Sequence, residues 1–600
     1  MLFGWHLGNK GIDMLSYNPP HRDLEFLLCD VLNVEEELRG IPRYAPFDSM
    51  TLKTVIRESG RFAADQLIAV NCAADHEGCK WSAGNVATSP GFSDAWGAFR
   101  ELGWPTICAD QEMGGLELPR LAWSMVHEQI ASGSHAFVMT ATINHCVSSC
   151  LRKHGCEELQ AFWLPRLTSG EVLSSMCMTE PQAGSDVGLV KTKAVPDDSD
   201  GTYLVSGTKI FVSGAEHDLT ANILHLVLAR LPGSPAGVRG LTLFLIPKLL
   251  ESGIQNGVYC DGIEKKMGLH GSPTCTMRFD QARGWLVGEI GGGLEAIFPV
   301  MKEARLLSGL QAVGISEIAM QQAFSYAQTR RQGKSGYGPS PSLLIEHDDV
   351  QRMLLTQKAW TEGGRALAHW IAIMFDLSEY HPDAYRNKHA LDTLDLVTPI
   401  VKGFLTENAQ QSIYLAIQVL GGHGYIRESG LEQLARDVRV TTLYEGTSGI
   451  QAKDLLMRNV IADNGRRLGQ LLMAIREWTE GVGLDQKFDE FRTTLIRLLT
   501  SVSNISRFLI DLELTKLGRA VSKCSAYLRL LGHLLFAWFW ARMAGAAKSA
   551  LEEMPDPWYE LKISTAKFYY TQLLPESFSL EAVLISEMEN VSSLLAQQEQ

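Results

Sequence analysis

Glu445 lies in the stretch whose residue types most favour chemistry, residues 436–458 (RDVRVTTLYEGTSGIQAKDLLMR). An apolar and aromatic run ends just before it at Tyr444, and a Gly-Thr-Ser-Gly turn follows it before a helical pattern restarts at Ile450. A carboxylate that is shielded from water has a raised pKa and is a stronger base. General-base chemistry is therefore one interpretation of this loop. A solvated surface residue is the other, since most glutamates are exposed.

Two earlier segments combine hydroxyl, glycine and aromatic residues. The segment MCMTEPQAGSDVG offers the hydroxyls of Thr179 and Ser185 beside two glycines, so its backbone could hold a heterocycle or a phosphate. The segment KIFVSG has Phe211 two residues before Ser213. Strand alternation predicts that both point to one face, where they could stack on a flat ring and hydrogen-bond to it. A plain turn and ordinary strand content are the alternatives.

Two helix ends carry residues that suit a phosphate. The segment RRQGK starts at Arg330, whose guanidinium could bind a pyrophosphate, although cations at a helix C-terminus are also common for dipole reasons. In QVLGGHGY, Gly421 and Gly422 either form a helix C-cap or allow a phosphate or a neighbouring chain to approach the backbone. His423 is interpreted as a loop residue, and no metal site is expected.

The composition limits the classes of protein to consider. The 600 residues are 46% hydrophobic and 20% charged, which is typical of a globular protein with large cores. A net charge of −14 gives no footprint for nucleic acid, so such partners are excluded. Eleven cysteines without a CxxC pair indicate reduced thiols and a cytoplasmic protein. Residues 1–14 lack a signal-peptide core and are interpreted as an uncertain N-terminal extension.

The most apolar run is LLGHLLFAWFWA, residues 530–541. Twelve residues are too few to cross a bilayer, so no transmembrane segment is expected. The run is interpreted as a buried core helix. A helix at a membrane surface or against a partner is the alternative, which leaves peripheral membrane contact open.

The hydrophobic period changes along the chain and predicts a mostly α protein with an inserted β domain. After the extension, a helical N-terminal domain is expected at 15–173 and a middle β domain at 174–288, followed by a helical bundle at 289–461 and an extra helical domain at 462–600. Short runs rich in Val, Ile, Leu and Thr predict the strands of the β domain, as an antiparallel sheet or barrel. These runs are residues 203–212, 222–229, 241–247, 256–267 and 275–279.

The order of these segments resembles one family. MTEPQAGSD, KIFVSG, ARLLSG, YAQTRRQG, QVLGGHGY and RDVRVTTLYEGTSGIQ follow one another as in the acyl-CoA dehydrogenases, over about residues 50 to 458. The extra C-terminal helical block and the segment MGLHGSPTC resemble the larger bacterial subgroup. That subgroup includes 3-(methylthio)propanoyl-CoA and long-chain acyl-CoA dehydrogenases.

The resemblance implies an activity. It implies bound FAD and oxidation of an acyl-CoA thioester to the trans-2-enoyl-CoA, as in fatty acid β-oxidation, with electrons passed to an electron-transfer flavoprotein. An acyl-CoA oxidase that uses O₂ and a non-catalytic acyl-CoA-binding protein are the alternatives. A homodimer is expected, because the extra helical block could replace contacts that smaller relatives make by forming tetramers.

The resemblance also implies roles for individual residues. Glu445 matches the base that removes the α-proton. The matching substrate positions are Ser185, Arg305 and Tyr444. The matching cofactor positions are Met178, Thr179, Ser185, Phe211, Ser213, Arg330, Gln332, Gln418, Gly421, Gly422 and Thr447. Phe211 and Ser213 stand where Trp and Thr are common in the family, and Lys302 and Glu303 differ from the commoner residues before Ala304 and Arg305.

Overall fold

The computed structural model describes residues 15–197, 201–336, 340–481 and 488–587, which form two compact units. Among these residues, the first unit comprises 15–26, 42–361 and 408–441, and the second comprises 27–41, 362–407 and 442–587. The predicted N-terminal extension, residues 1–14, lies outside the described residues. The predicted division into four consecutive domains stays a prediction, because both units combine segments that are distant in sequence.

Helices make up most of both units. In chain order they are α1 His21–Glu25, α2 Val34–Leu38, α3 Ser49–Phe62, α4 Ile68–Glu77, α5 Phe92–Glu101, α6 Arg120–Gly133, α7 His135–His154, α8 Glu157–Thr168, α9 Gly293–Thr329, α10 Asp348–Tyr380, α11 Ala384–Leu420, α12 Gly422–Tyr425, α13 Leu431–Val438, α14 Ser448–Lys453, α15 Arg466–Glu480, α16 Asp489–Thr515, α17 Cys524–Glu553, α18 Pro557–Phe568 and α19 Glu576–Ile585. Segments of π-helical geometry continue four of them: Phe26–Val31, Ala63–Leu67, Asp454–Ile461 and Tyr569–Leu573.

Local sequence explains where several of these helices begin. The Asp48 carboxylate accepts the Thr51 N–H at 2.8 Å and caps α3. Ser134 caps α7 in the same way, through the Phe137 N–H at 3.2 Å. Both side chains satisfy backbone donors that have no partner inside the first helical turn.

The first unit contains a sheet that closes on itself. Its strands are β3 Leu173–Cys177, β4 Lys193–Pro196, β5 Tyr203–Ser213, β6 Ile223–Arg230, β7 Leu241–Pro247, β8 Val258–Ile263 and β9 Thr274–Val287, after a separate hairpin of β1 Lys80–Ser82 and β2 Asn85–Ala87. The sheet order is β3-β6-β4-β5-β9-β7, and β8 pairs with β9. Antiparallel pairing of β6 with β7, from Leu224↔Pro247 to Arg230↔Leu241, closes a ring of five strands.

The predicted fold class, mostly α with an inserted β domain, is confirmed. The five predicted runs correspond to β5 to β9, although β9 extends to Val287 and β8 is shorter than expected. Four strands were not predicted. The hairpin strands and β4 are short and largely exposed, and β3 is a buried Ser-containing strand without alternation, so none of them shows the period-2 pattern.

The helical core of the first unit contains buried polar side chains. All fourteen residues of α6 are buried, among them His127, Glu128 and Gln129. Ser132 Oγ on α6 donates to the Gly314 carbonyl on α9 at 2.9 Å. A Cβ at Gly314 would lie within 3.0 Å of Ala131, so the glycine lets the two helices approach closely.

The core of the second unit centres on α17. Residues 530–541 are buried, and the Trp370 ring packs against Trp538 at 5.4 Å and against Phe539 at 5.6 Å. The interpretation of this run as a core helix is therefore confirmed. Across the described ranges, the helices are too short or too polar to cross a membrane.

Candidate active site

The segments MCMTEPQAGSDVG and KIFVSG, which the sequence predicts to hold a heterocycle or a flat ring, lie next to each other in the first unit. The Ile210 N–H donates to the Thr179 carbonyl at 2.9 Å, and Lys209 Nζ donates to the Met178 carbonyl at 3.1 Å. Met178 and Thr179 are half-buried. The end of β5, which carries Phe211, is therefore fixed directly against the loop that follows β3.

A buried ion pair organises this loop. Glu180 Oε1 accepts from Lys209 Nζ at 2.9 Å and from Thr192 Oγ1 at 2.6 Å, while Oε2 accepts from the Lys191 N–H at 2.7 Å. Burial opposes ionisation of Glu180, but the charge of Lys209 and the hydrogen bonds from Thr192 outweigh it and lower the pKa to about 2. The sequence prediction missed this pair. The available signal was an acidic residue, Glu180, in one segment and a basic residue, Lys209, in the other.

Phe211 has a strained backbone. Its φ is +57°, and the residue is 62% exposed at the end of β5. The pairing of β5 with β9 shifts register between Lys209 and Val212, so a bulge interrupts the strict alternation that the sequence suggested. Ser213 follows the bulge and is half-buried, and a Cβ at Gly214 would meet nothing within 4 Å. The strand end thus presents an aromatic ring and a hydroxyl beside open space.

Ser185 is exposed on the same loop as Thr179. Its neighbour Asp186 accepts the Gly188 N–H at 3.0 Å, and Arg230 Nε donates to the Val190 carbonyl at 2.7 Å. Arg230 also donates to the Gly188 carbonyl. The loop that carries the Ser185 hydroxyl is therefore tied to β6 through Arg230.

Arg330 and Gln332 lie on an ordered turn after α9. Arg331 pairs with Leu343 as an isolated β-bridge, and the Gln332 N–H donates to the Ser342 carbonyl at 2.9 Å. The Arg330 and Gln332 side chains are exposed. Their backbone is held by hydrogen bonds while their side chains point to solvent.

Gln418, Gly421 and Gly422 lie at the end of α11 and are exposed. Gly421 has φ of +59°, and a Cβ at either glycine would meet nothing within 4 Å. His423 lies in the single helical turn α12, rather than in the predicted loop, and its Nδ1 shares a hydrogen bond of 2.9 Å with the Tyr326 hydroxyl of α9. Since Tyr326 is one turn before Arg330, this bond brings the two helix ends together.

The segment before Arg305 contains a buried charge cluster. Glu303 on α9 accepts from Arg120 Nε at 3.1 Å and shares a hydrogen bond of 2.8 Å with His145 Nε2. Burial raises the pKa of Glu303, but the neighbouring charges of His145 and Arg120 outweigh it and hold the pKa well below the usual range. Arg305 is 6% exposed, and its assignment to the CoA side stays a prediction.

Glu445 lies in the second unit, on a loop of unusual backbone conformation. Its φ is +53° and that of Gly446 is +88°, so two consecutive residues are left-handed. Thr447 follows as the N-cap of α14, accepting the Ile450 N–H at 3.4 Å. The side chains of Tyr444, Glu445 and Thr447 are half-buried. Oε2 of the Glu445 carboxylate is shielded from solvent, so the carboxylate is not fully solvated.

Three groups of predicted site residues emerge. The first contains Met178, Thr179, Ser185, Phe211 and Ser213, and the second contains Arg330, Gln332, Gln418, Gly421 and Gly422. Both belong to the first unit. The third contains Tyr444, Glu445 and Thr447 and belongs to the second unit. Their roles in binding and catalysis stay predictions at this point.

The sequence matches four family descriptions in chain order. They are "Acyl-CoA dehydrogenase, N-terminal domain" over residues 60–171, the corresponding middle domain over 175–282 and C-terminal domain over 291–460, and "Acetyl-CoA dehydrogenase C-terminal like" over 471–594. These matches, with the fold above, define an oxidoreductase of the acyl-CoA dehydrogenase class.

Curated relatives align over nearly the whole chain. A 3-methylmercaptopropionyl-CoA dehydrogenase of Ruegeria pomeroyi is 36% identical, over 94% of this chain and 97% of the relative. A broad-specificity linear acyl-CoA dehydrogenase, FadE5, of Mycobacterium tuberculosis is 32% identical, over 95% and 98%. The chain belongs to the acyl-CoA dehydrogenase family. The predicted subgroup with an additional C-terminal domain is confirmed by the fourth matched description and by these full-length alignments.

Solved structures share the fold at low sequence identity. Caenorhabditis elegans ACDH-11 in complex with C11-CoA superimposes with a TM-score of 0.78 at 20% identity, covering 99% of this chain and 97% of that one. An acyl-CoA dehydrogenase of Bacillus anthracis complexed with FAD gives a TM-score of 0.72 at 20% identity, covering 93% and 92%. At this identity the likeness describes the architecture.

Proposed function

We propose that this enzyme uses FAD to oxidise an acyl-CoA thioester to the trans-2-enoyl-CoA, with Glu445 as the base that removes the α-proton. The single observation that carries the proposal is the position of Glu445. A half-buried glutamate whose Oε2 is shielded from solvent occupies a left-handed loop, in a chain that aligns over nearly its full length with named acyl-CoA dehydrogenases. Backbone strain of this kind is concentrated at functional sites.

The residues of the first unit fit FAD. The exposed Phe211 ring and the hydroxyls of Thr179 and Ser213 suit the face and edge of an isoalloxazine ring. The exposed Arg330 guanidinium and the open space at Gly421 suit a pyrophosphate that approaches the backbone. The proposed set in this unit is completed by Met178, Ser185, Gln332, Gln418 and Gly422. Thr447 is the proposed cofactor residue of the second unit. FAD, when bound, supplies the acceptor for the hydride that leaves the β-carbon.

The chain's own residues carry the proton chemistry. A proton next to a thioester is weakly acidic, so its removal needs a base in a site from which water is excluded. The Glu445 carboxylate takes this proton. The Glu445 N–H is the proposed donor to the thioester oxygen, where it stabilises the negative charge that develops as the proton leaves. A positioned base of this kind contributes ~10²–10⁴-fold to the rate.

Unbranched acyl groups are the proposed substrates. Near-full-length relatives are named for methylmercaptopropionyl, linear acyl and butyryl thioesters, none of which is branched near the carbonyl. Ser185, Arg305 and Tyr444 are the proposed substrate residues.

The test mixes the purified holoenzyme anaerobically with butyryl-, octanoyl-, palmitoyl- and 3-(methylthio)propanoyl-CoA, and with isobutyryl- and isovaleryl-CoA. Flavin bleaching should be fast with at least one unbranched thioester and slow with the branched ones. Bleaching by none of them would contradict the reaction, and faster bleaching by branched thioesters would contradict the substrate class.

An electron-transfer flavoprotein is the proposed acceptor, because the full-length relatives are named as dehydrogenases rather than oxidases. The alternative is an oxidase that passes electrons to O₂. Turnover in air without an added acceptor should therefore produce little hydrogen peroxide, while an added electron-transfer flavoprotein should support turnover. Stoichiometric peroxide in air would indicate an oxidase.

A further inference from the structure

Two buried side chains bind consecutive carbonyl oxygens of the loop that carries Glu445. Gln451 Nε2 donates to the Glu445 carbonyl at 2.8 Å and to the Gly446 carbonyl at 3.3 Å. Lys402 Nζ donates to the Gly446 carbonyl at 2.7 Å. Both donor residues are 0% exposed. Since Lys402 lies on α11 and Gln451 on α14, the loop is fixed from two different helices.

These bonds hold a conformation that the loop would rarely adopt alone. Left-handed φ values are uncommon for residues with a Cβ, and Glu445 has one. Gly446, which adopts positive φ readily, continues the same backbone conformation. Such a conformation persists only when the surrounding structure specifies it. A Cβ at position 446 would lie 2.8 Å from Gln451 Nε2, so the amide of Gln451 and the glycine fit each other closely.

The bound carbonyls determine where the carboxylate points. The peptide group is planar, so fixing the Glu445 carbonyl fixes ψ of Glu445. Together with φ, this sets the direction of the Cα–Cβ bond from which the carboxylate extends. A base must come within hydrogen-bond reach of the proton that it removes. A misplacement of about 1 Å can cost about 10²-fold in rate.

The donors are themselves held firmly. A Cβ at Gly403, next to Lys402, would lie 2.8 Å from Leu528 Cδ1 on α17 and 3.6 Å from the Gln451 Cβ. Helices α11, α14 and α17 therefore pack closely at this point, and rigid packing of supporting residues is what precise positioning requires.

We propose that Lys402 and Gln451 are positioning residues for proton abstraction, and that they aim the Glu445 carboxylate by binding the carbonyls of residues 445 and 446. This inference rests on the proposed role of Glu445 as the base. It adds that the rate depends on two side chains that act through the loop backbone.

The test uses the holoenzyme with Lys402→Met and Gln451→Leu, which keep side-chain bulk and remove the donors. For each variant, kcat, KM, the flavin-to-protein ratio and the kinetic isotope effect with α-deuterated acyl-CoA are measured. We expect kcat to fall by about 10–100-fold, with KM changed less than about threefold. The isotope effect should rise, because α-proton removal becomes more rate-limiting. The matched control is Lys453→Met, an exposed lysine on α14, which should behave as wild type.

A purely structural role would lower stability without changing the isotope effect. Values of kcat and isotope effect within about twofold of wild type in folded, flavin-loaded Gln451→Leu would overturn the proposal. Gln451→Leu carries the test if Lys402→Met does not fold, since it leaves the lysine in place. Glu445→Gln is measured in parallel. If that variant keeps its turnover, the base assignment fails; if it is inactive while the other two variants are unaffected, only the positioning role fails.

Discussion

At the scale of residues, two members of the candidate site are strained. Phe211 and Glu445 have φ of +57° and +53°, a region that costs residues other than glycine roughly 1–3 kcal/mol. Neither residue type signals a left-handed conformation, so the sequence could not reveal it. The order of the surrounding motifs could point to both residues, because their identities match a family pattern. Their backbone geometry required the three-dimensional contacts.

Arg330 provides a direct test of cofactor retention. Its exposed guanidinium is the proposed partner of the FAD pyrophosphate, so Arg330→Ala should lower FAD affinity and the flavin-to-protein ratio after gel filtration. Arg331→Ala is the matched control, since the Arg331 side chain donates to the Pro341 carbonyl at 3.2 Å instead. Equal flavin content in the two variants would argue against the assignment of Arg330.

Asp437 makes a prediction about pH. Its pKa is raised from 3.8 to about 6, chiefly by burial. The Leu269 N–H donates to Oδ1 at 2.6 Å and partly opposes this shift. The charge of Asp75 raises the pKa further, and the charge of Arg436 lowers it. The fold therefore favours the neutral carboxyl. The stability that the neutral Asp437 carboxyl contributes is complete below about pH 4 and is lost as the pH rises through about 6.

Asp437→Asn removes this ionisation and keeps an acceptor for the Leu269 N–H. Relative to wild type, the variant should gain stability between pH 4 and pH 7, by at most about 3 kcal/mol, and the difference should then stay constant. Melting temperatures of both proteins across this range provide the measurement. Parallel pH profiles would show that Asp437 titrates normally.

At the scale of elements, the packing of α17 against α11 can be tested with two glycines. A Cβ at Gly532 would overlap the Phe404 ring, whereas a Cβ at the exposed Gly469 on α15 would meet nothing within 4 Å. Gly532→Ala should therefore destabilise the protein by about 1–3 kcal/mol through overpacking. Gly469→Ala should be neutral or stabilise it by up to about 1 kcal/mol, because alanine favours a helix. Chemical denaturation measures both, and equal effects would contradict this packing.

The elements also show which parts of the fold the sequence reveals. The amphipathic helix α3 has a clear helical period, and β6 and β7 are short continuous apolar runs, so the sequence made these elements predictable. The bulge in β5 was not, because it depends on pairing with β9 between Lys209 and Val212. The buried donors Lys402 and Gln451 were also missed. A lysine inside the apolar run PIVKGFL was the only hint.

At the scale of the molecule, the fold class and the family followed from the order of the segments. The division into two compact units did not, because residues 27–41 and 362–407 join residues 442–587 through contacts that are remote in sequence. This unit contains both the Glu445 loop and the additional C-terminal helices. Among these C-terminal helices, α17 packs against Gly403, which is next to Lys402, one of the two residues that hold the Glu445 loop.

The assembly state is a further prediction at this scale. We expect the C-terminal helical block to replace contacts that smaller members of the family make between subunits, so that the protein forms a homodimer. Light scattering coupled to gel filtration should give the mass of two chains over a wide concentration range. The mass of four chains would refute the idea that this block replaces tetramer contacts.

The most direct test of the central claim is the rate of flavin bleaching in Glu445→Gln, measured by anaerobic stopped flow with an acyl-CoA that bleaches the wild type. Glu428→Gln, which changes an exposed glutamate, is the control and should match the wild type. If Glu445 is the base, its variant should bind FAD and melt as the wild type does but bleach ~10²–10⁴-fold more slowly. Bleaching at close to the wild-type rate in a folded, flavin-loaded Glu445→Gln protein would contradict the assignment.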